Sequence, residues 1–299
     1  LENYNMKAIL VGTGGIGKNV YLPQLQAQGF DVTTCDLYDT TADYQNPMDA
    51  KGKFEIGVIC TPNYSHEGVA LQLAKKCKVV LVEKPGLPSA DMWNALCDEN
   101  PKTKFVMCKN NMYRNNLGAI QKWRDSEEKP LRIEINWLNK NRVPNPGGWS
   151  TNKKTAWGGV ALDLFPHLYT QLINITPLDS LERNGYSMAQ QWQLSDLMDG
   201  GSDYGEIKLD GVYNVCDFAE ESWVMNGVTP ITLRASWKAG YDDQSIKVIT
   251  ADSEYIWHFG LCPDYAYGEM IHKAMTEDYN MHRYFDTWIH KQLEVYHEG

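Results

Sequence analysis

Residues 6–17 read Met6-Lys7-Ala8-Ile9-Leu10-Val11-Gly12-Thr13-Gly14-Gly15-Ile16-Gly17, a short apolar strand that runs straight into a glycine cluster. A helical stretch follows to about Gly29, with Pro23 early in it. Gly-x-Gly-x-x-Gly alone is a weak signal; between a strand and a helix it gains physical meaning. Gly12 permits the tight turn. Gly14 lets the backbone approach a pyrophosphate where a Cβ would not fit, and Gly17 allows close helix–strand packing. The helix N-terminus adds unsatisfied N–H groups and a partial positive charge. Gly12, Gly14, Gly15, Ile16 and Gly17 are therefore the expected phosphate-binding segment. Asp36 stands at the end of the next strand, 19 residues past Gly17, where a carboxylate accepts hydrogen bonds from the adenosine ribose. No Arg or Lys occurs between Asp36 and Tyr44. A 2′-phosphate would meet a like charge there and no local cation, so NAD is favoured over NADP.

Working outward, further strands are expected at Val32–Cys35, Phe54–Cys60, Lys78–Val82 and Lys104–Cys108, the run at Lys78–Val82 being continuously β-branched or apolar, as in a strand buried on both faces. Helices are expected at Glu67–Lys76 and from Ser89, a plausible N-cap, to about Glu99. Strands alternating with helices imply βαβ units and a doubly wound parallel sheet. The pattern changes after about residue 118. Leu131–Trp137 and Ile231–Trp237 alternate strictly between apolar and polar, as in a sheet covered on one face. Val212–Phe218, Ser245–Thr250 and Glu254–His258 are further strand candidates, and Val160–Ile175 reads as a helix. The fold class is thus α/β, with a dinucleotide-binding domain over 1–118. A second α+β domain over 119–299, with an open, mainly antiparallel sheet, is expected to bind substrate and mediate oligomerisation. Near the C-terminus Met281, Tyr284, Phe285, Trp288 and Ile289 fall at helical spacing and predict an apolar, core-facing stripe. Residues 180–210 are polar and fit no element.

A length of 299 residues predicts two domains at roughly 100–200 residues each. The formal charge of -10 argues against nucleic acid or an anionic membrane, both of which need a positive field. No run of 18 apolar residues occurs. Leu1–Asn5 lacks a signal pattern and reads as a tag remnant or leader, with Met6 a plausible start. The seven cysteines show no CxxC spacing and read as buried thiols in a reducing cytoplasm. No metal site is expected: His282, His290 and His297 are spaced by 8 and 7 residues, about two turns apart.

Three more segments, Cys60-Thr61-Pro62-Asn63-Tyr64-Ser65-His66, Val82-Glu83-Lys84-Pro85 and Gly158-Gly159-Val160-Ala161-Leu162-Asp163-Leu164-Phe165-Pro166-His167, follow the glycine cluster in this order. Together they resemble the Gfo/Idh/MocA oxidoreductase family over about residues 6–175. The resemblance implies an N-terminal Rossmann domain, a nicotinamide cofactor and a sugar, cyclitol or nucleotide-sugar substrate. It places Thr61, Pro62, Asn63 and His66 beside the cofactor, with Glu83 and Lys84 after the fourth strand. Lys84 falls on the nicotinamide and substrate side, and Pro85, often cis in the family, shapes the turn. Arg114 resembles the segment that reaches toward substrate, and Asp163 with His167 the paired residues of the second-domain helix. Trp157 departs from the family, which usually shows there the first of three glycines.

The residues support a consistent chemistry. Asp163 and His167 are at i,i+4 and project from one helical face. A carboxylate beside an imidazole orients it and favours its protonated form. A lysine at the C-terminal end of a doubly wound sheet lies near the ligand crevice. The expected reaction is hydride transfer between nicotinamide and a secondary alcohol or ketone of a sugar, cyclitol or nucleotide sugar. His167 is the expected base, Asp163 its orienter, and Lys84 the holder of the substrate oxygen. Trp149 and Trp157 are candidates for stacking on sugar or nicotinamide. Pro166 is expected to kink its helix. A homodimer or homotetramer through the free sheet face is expected. The alternatives are a non-enzymatic dinucleotide sensor, or an imine or tetrapyrrole reductase of the same fold. The particular substrate and the direction of reaction are not encoded in readable motifs.

Overall fold

The computed structural model describes residues 6–197, 202 and 204–297. Leu1–Asn5 and part of the 180–210 stretch lie outside the described residues. The chain forms two compact units, Leu1–Tyr113 with Pro263–Val295, and Arg114–Cys262 with Tyr296–Gly299. It crosses between them after 113, 262 and 295, where the sequence reading drew one crossing at 118/119.

The first unit is built on strands β1 (Lys7–Val11), β2 (Asp31–Cys35), β3 (Phe54–Ile59), β4 (Cys77–Val82) and β5 (Lys104–Met107), ordered β2-β1-β3-β4-β5. Every neighbouring pair is parallel. Residues of β3, β4 and β5 are buried almost continuously, as strands covered on both faces must be. The order reverses at β1, so the crevice for a ligand opens at its C-terminal end. The chain leaves β1 through a π-helical turn at Gly17–Tyr21 that passes into α1 (Leu22–Ala27). Pro23 explains the wide turn: it lacks the N–H that an α-helix would direct at residue 19, and its ring would clash with that carbonyl. Helix α2 (His66–Leu73) joins β3 to β4, and α3 (Ala90–Glu99) joins β4 to β5. Ser89 caps α3, its Oγ accepting from Met92 N–H at 3.1 Å.

The second unit opens with α4 (Ala119–Ser126), β6 (Arg132–Leu138), the single turn α5 (Lys153–Ala156) and α6 (Val160–Ile175). Strands β7 (Leu181–Ala189), β8 (Phe218–Met225), β9 (Thr229–Ser236), β10 (Asp243–Ile249) and β11 (Glu254–His258) follow. They form a six-stranded sheet ordered β11-β10-β6-β9-β8-β7, antiparallel except for the β6–β9 pair. Helix α6 packs on β6, β8 and β9 and continues through Pro166. Val212–Phe218 is not a strand as expected: Asp217 gathers the Gln191 and Trp192 N–H groups and the Tyr213 hydroxyl into a loop. The strand begins at Phe218 instead. Its buried positions are Ala219, Glu221, Trp223 and Met225, and the acid among them hides the alternation. Glu221 tolerates burial because Tyr169, Tyr296, Trp223 and Arg183 all donate to it.

The chain then returns to the first unit as α7 (Asp264–Thr276) and α8 (Tyr279–Leu293), with α7 against α1 and β4 and α8 against α3 and β5. Helix α8 corrects the expected apolar stripe. Met281 and Tyr284 are 54% and 55% exposed, while His282, Asp286 and His290 are buried with Ile289 and Leu293. The polar face turns inward because Lys109 and backbone groups of the first unit meet it there. Among the described residues no helix is long and apolar enough to cross a membrane, and no cluster of potential metal ligands occurs. Cys35, Cys77, Cys97 and Cys108 are buried thiols, and burial pushes Cys35 to about 11 and Cys77 to about 12.

Candidate active site

In the first unit the C-terminal ends of β1, β3 and β4 carry the glycine turn, the Thr61 loop and the Glu83–Lys84 turn along one sheet edge. Gly12 has φ +97°, and a Cβ there would lie 2.6 Å from the Cys60 carbonyl group. A Cβ on Gly17 would lie 2.0 Å from Gly12 O. Both glycines are thus required by close backbone packing. Gly14 and Gly15 differ: a Cβ on either meets nothing within 4 Å. Their freedom leaves open space over a helix N-terminus, the surroundings a pyrophosphate needs. Ile16 is the N-cap of that turn and is 37% exposed.

Asp36 sits beside this turn. Its carboxylate accepts from Thr13 N–H at 2.8 Å, Tyr38 N–H at 2.8 Å and Asp39 N–H at 3.0 Å. Partial burial raises its pKa, but these donors outweigh that and hold it below the ordinary range. The Thr13 hydroxyl donates to a second carboxylate, Asp39, at 2.8 Å. Hydrogen bonds from Thr41 and Thr13 lower Asp39 to about 2. Two anions therefore flank the turn, which suits a ribose diol and opposes a 2′-phosphate.

Thr61 and Pro62 are half-buried and Asn63 is buried where β3 turns into α2. His66 lies wholly inside, with Nδ1 2.9 Å from Gly86 O and Nε2 2.9 Å from Thr61 O. It spans the Thr61 loop and the Lys84 turn. Burial lowers its pKa, against the pull of the two carbonyls, and the neutral ring has one proton to share between them. Glu83 accepts from the Tyr21 hydroxyl at 2.6 Å and from Lys84 N–H at 3.0 Å. Tyr21 lies on the π-helical turn after the glycines, so that hydrogen bond ties the phosphate segment to the Lys84 turn. The Lys84–Pro85 peptide is cis.

In the second unit α6 is buried around its first three turns except at Asp163 and His167, which are half-buried. Asp163 Oδ2 accepts from the Trp237 indole N–H at 2.8 Å. His167 stacks on Trp137, with centroids 5.1 Å apart and planes at 30°. Sequence reasoning missed both tryptophans as site residues. The signal was present: each strictly alternating strand closes on a Trp, at 137 and at 237. Arg114 is nearly buried. Its guanidinium donates to Phe259 O at 2.8 Å and Gly260 O at 2.9 Å, and lies over the Trp257 and Phe259 rings. Phe259 touches Trp137, so an aromatic file links Arg114 to His167.

Trp149, 40% exposed, stands on a 3₁₀ turn at Trp149–Thr151. Trp157 has φ +68°, which explains why a glycine suits that position; an L side chain there costs roughly 1–2 kcal/mol. Its ring packs on His297, with centroids 5.8 Å apart. Gly158 and Gly159 admit no side chain: a Cβ would come within 2.7 Å of Tyr296 O at the first and 1.8 Å of Cys216 O at the second.

Comparison with known proteins agrees with this architecture. Residues 23–110 match the Gfo/Idh/MocA family model, described as "Oxidoreductase family, NAD-binding Rossmann fold". A protein of Amycolatopsis mediterranei (strain S699), named for the oxidoreductase subunit of UDP-kanosamine synthase, is 26% identical over 272 residues, 82% of this chain and 72% of that protein. Among solved structures, GenD2 from gentamicin A biosynthesis, in complex with NAD, superposes with a TM-score of 0.72 at 16% identity, covering 97% of this chain and 94% of that one. The WlbA dehydrogenase from Bordetella pertussis, in complex with NADH and UDP-GlcNAcA, superposes with a TM-score of 0.68 at 15% identity, covering 97% and 95%.

Proposed function

We propose that the chain, whose residues 23–110 match the NAD-binding Rossmann model of the Gfo/Idh/MocA oxidoreductases, is a dehydrogenase of that family acting on a ring secondary alcohol, or the matching ketone, of a sugar, cyclitol or nucleotide sugar. The observation that carries the reading is the pair Asp163 and His167, the one half-buried polar stripe in the otherwise buried first three turns of α6, each braced by a strand-end tryptophan. Buried indoles that orient a carboxylate and an imidazole, and leave both partly open, fit chemistry better than packing.

The glycine turn would hold the pyrophosphate over Gly14 and Gly15, and Asp36 the adenosine ribose. Nicotinamide, when bound, supplies the hydride acceptor or donor. His167 takes the substrate hydroxyl proton in the oxidation direction and returns it in reduction. Asp163, one oxygen held by Trp237, orients the imidazole or binds a neighbouring hydroxyl. The Lys84 ammonium holds the substrate oxygen and stabilises negative charge developing on it. Trp149 offers an exposed ring for stacking on a sugar face. The WlbA dehydrogenase was crystallised with a UDP-sugar, and the Amycolatopsis relative is named for a UDP-sugar synthase, so UDP-sugars head the substrates to test. Half-buried polar side chains on one face of the sheet, Glu134, Thr232 and Arg234 among them, fit a homodimer or homotetramer contact. The buried thiols fit a reducing cytoplasm.

The test is NADH formation over a panel of UDP-sugars, free sugars and cyclitols, for the wild type, Lys84→Ala and His167→Ala. Each substitution should lower kcat by about 100-fold or more on the substrate found. Full turnover by both variants would overturn the roles assigned.

A further inference from the structure

Two buried imidazoles grip one peptide unit, two residues beyond Lys84. The carbonyl of Gly86 faces His66 Nδ1 at 2.9 Å. The N–H of Leu87, the other end of that peptide, donates to His290 Nε2 at 3.0 Å. Gly86 has φ +83°, and a Cβ there would lie 2.2 Å from His290 Nε2. The imidazole thus takes the space a side chain would need.

His290 is itself fixed from three directions. Its Nδ1 lies 2.6 Å from Asp286 O, one helical turn back, and its ring stacks on Trp93 with centroids 4.6 Å apart and planes at 22°. The Asp286 side chain accepts from Met107 N–H at 2.9 Å and pairs with Lys109, both at the end of β5. These contacts assign the tautomer. Nδ1 carries the proton and donates it to Asp286 O, so Nε2 is left bare to accept from Leu87. A neutral imidazole supplies that combination of one donor and one acceptor.

We propose that His290 is a positioning residue for Lys84: through Asp286, helix α8 ties the Lys84 turn to the end of β5 and sets where the ammonium is presented. The inference rests on the role of Lys84 proposed above. It gives a reason for α8 to bury its polar stripe: His282, Asp286 and His290 repeat at every fourth residue, and two of them carry this tie. It also ties the last long helix of the chain to a turn some two hundred residues earlier. A shift of about 1 Å in a positioned group can cost on the order of 100-fold in rate, so the tie should be visible in kcat.

The experiment compares full-length wild type with His290→Leu, His290→Gln, Gly86→Ala and Lys84→Ala. Leu keeps bulk and removes the acceptor; Gln restores an acceptor oxygen at the same reach. Three quantities are read: kcat against KM on the substrate found, NADH affinity by fluorescence, and hydrogen exchange of the peptide containing Leu87. His290→Leu should lower kcat about 10- to 100-fold, leave NADH affinity within about twofold, and speed exchange at Leu87. His290→Gln should recover most of both losses. Gly86→Ala, which forces the ring aside, should reproduce the Leu result if the Leu variant does not fold. Unchanged kcat in a folded His290→Leu or Gly86→Ala protein with faster Leu87 exchange would overturn the inference, as would unchanged exchange. Full turnover by Lys84→Ala would instead overturn the reading of Lys84, and the exchange measurement separates the two failures.

Discussion

Acidification should weaken the first unit through His290, and the size of the effect follows from its surroundings. The ring is wholly buried, and burial drives its pKa from the ordinary 6.5 to about 4, only partly opposed by the Asp286 carbonyl. Between those values the unfolded chain binds a proton at this residue and the folded chain does not, so stability must fall as pH falls. Each unit of separation is about 1.4 kcal/mol. The full window is therefore worth about 3 kcal/mol, of which about 2 kcal/mol is lost between pH 7 and pH 5. His66, His282 and His297 are also lowered by burial and add loss of the same sign, so the wild type alone does not isolate His290. The assay is urea unfolding across this range for wild type and His290→Gln, which keeps an acceptor for Leu87 N–H but does not titrate. The variant's stability should fall less with acid, the gap in slope summing to about 2 kcal/mol by pH 5. Parallel pH dependences would refute the reasoning, because they would mean that His290 carries the same proton folded and unfolded.

Three further outcomes are expected. Gly14→Ala has room for its Cβ, so the variant should keep the wild-type Tm while NADH affinity falls at least about 10-fold, checked by melting and fluorescence titration. Trp237→Phe removes the indole donor to Asp163 and should cost about 1.5–3 kcal/mol of stability together with a fall in kcat larger than any rise in KM, read by urea unfolding and steady-state kinetics. Gln171 is fully buried on α6, one turn past His167, and neither of its amide atoms has a hydrogen-bond partner among the described residues. Gln171→Leu should leave the Tm unchanged or raise it, since an unpartnered buried polar group is costly.

The parallel sheet could be read from the sequence because most of its strands are short apolar runs bounded by turn residues, a local signal; β2, Asp31–Cys35, carries two threonines and stands out by its place before Asp36. Helix α6 was found at Val160–Ile175 for the same reason: its apolar residues surround a single polar stripe. The glycine motif carried more than its pattern, since Gly12 and Gly17 prove to be packing glycines and Gly14 and Gly15 leave open space. What escaped the sequence depends on distant partners. Glu221 made β8 look polar, and its burial becomes reasonable only with Tyr169, Tyr296 and Arg183 around it. β7 is an edge strand, exposed or half-exposed at every position, with an irregularity between Arg183 and Gly185, and so shows no period. On α8 the apolar spacing points to Met281 and Tyr284, which are exposed, whereas Lys109, Met107 and Leu87 draw Asp286 and His290 inward. Those partners lie 177, 179 and 203 residues away in sequence. Trp137 and Trp237 looked like the last apolar residues of their strands, and only the folded sheet shows which polar groups they brace.

Lys84 and His167 are proposed to act on the same substrate oxygen. A crystal structure with NADH and the substrate identified by the panel measures this directly. Lys84 Nζ and a ring nitrogen of His167 should both lie within hydrogen-bond distance of one substrate oxygen, with its carbon facing the nicotinamide. Lys84 and His167 opening to separate solvent regions, or a substrate bound without either of them, would contradict it.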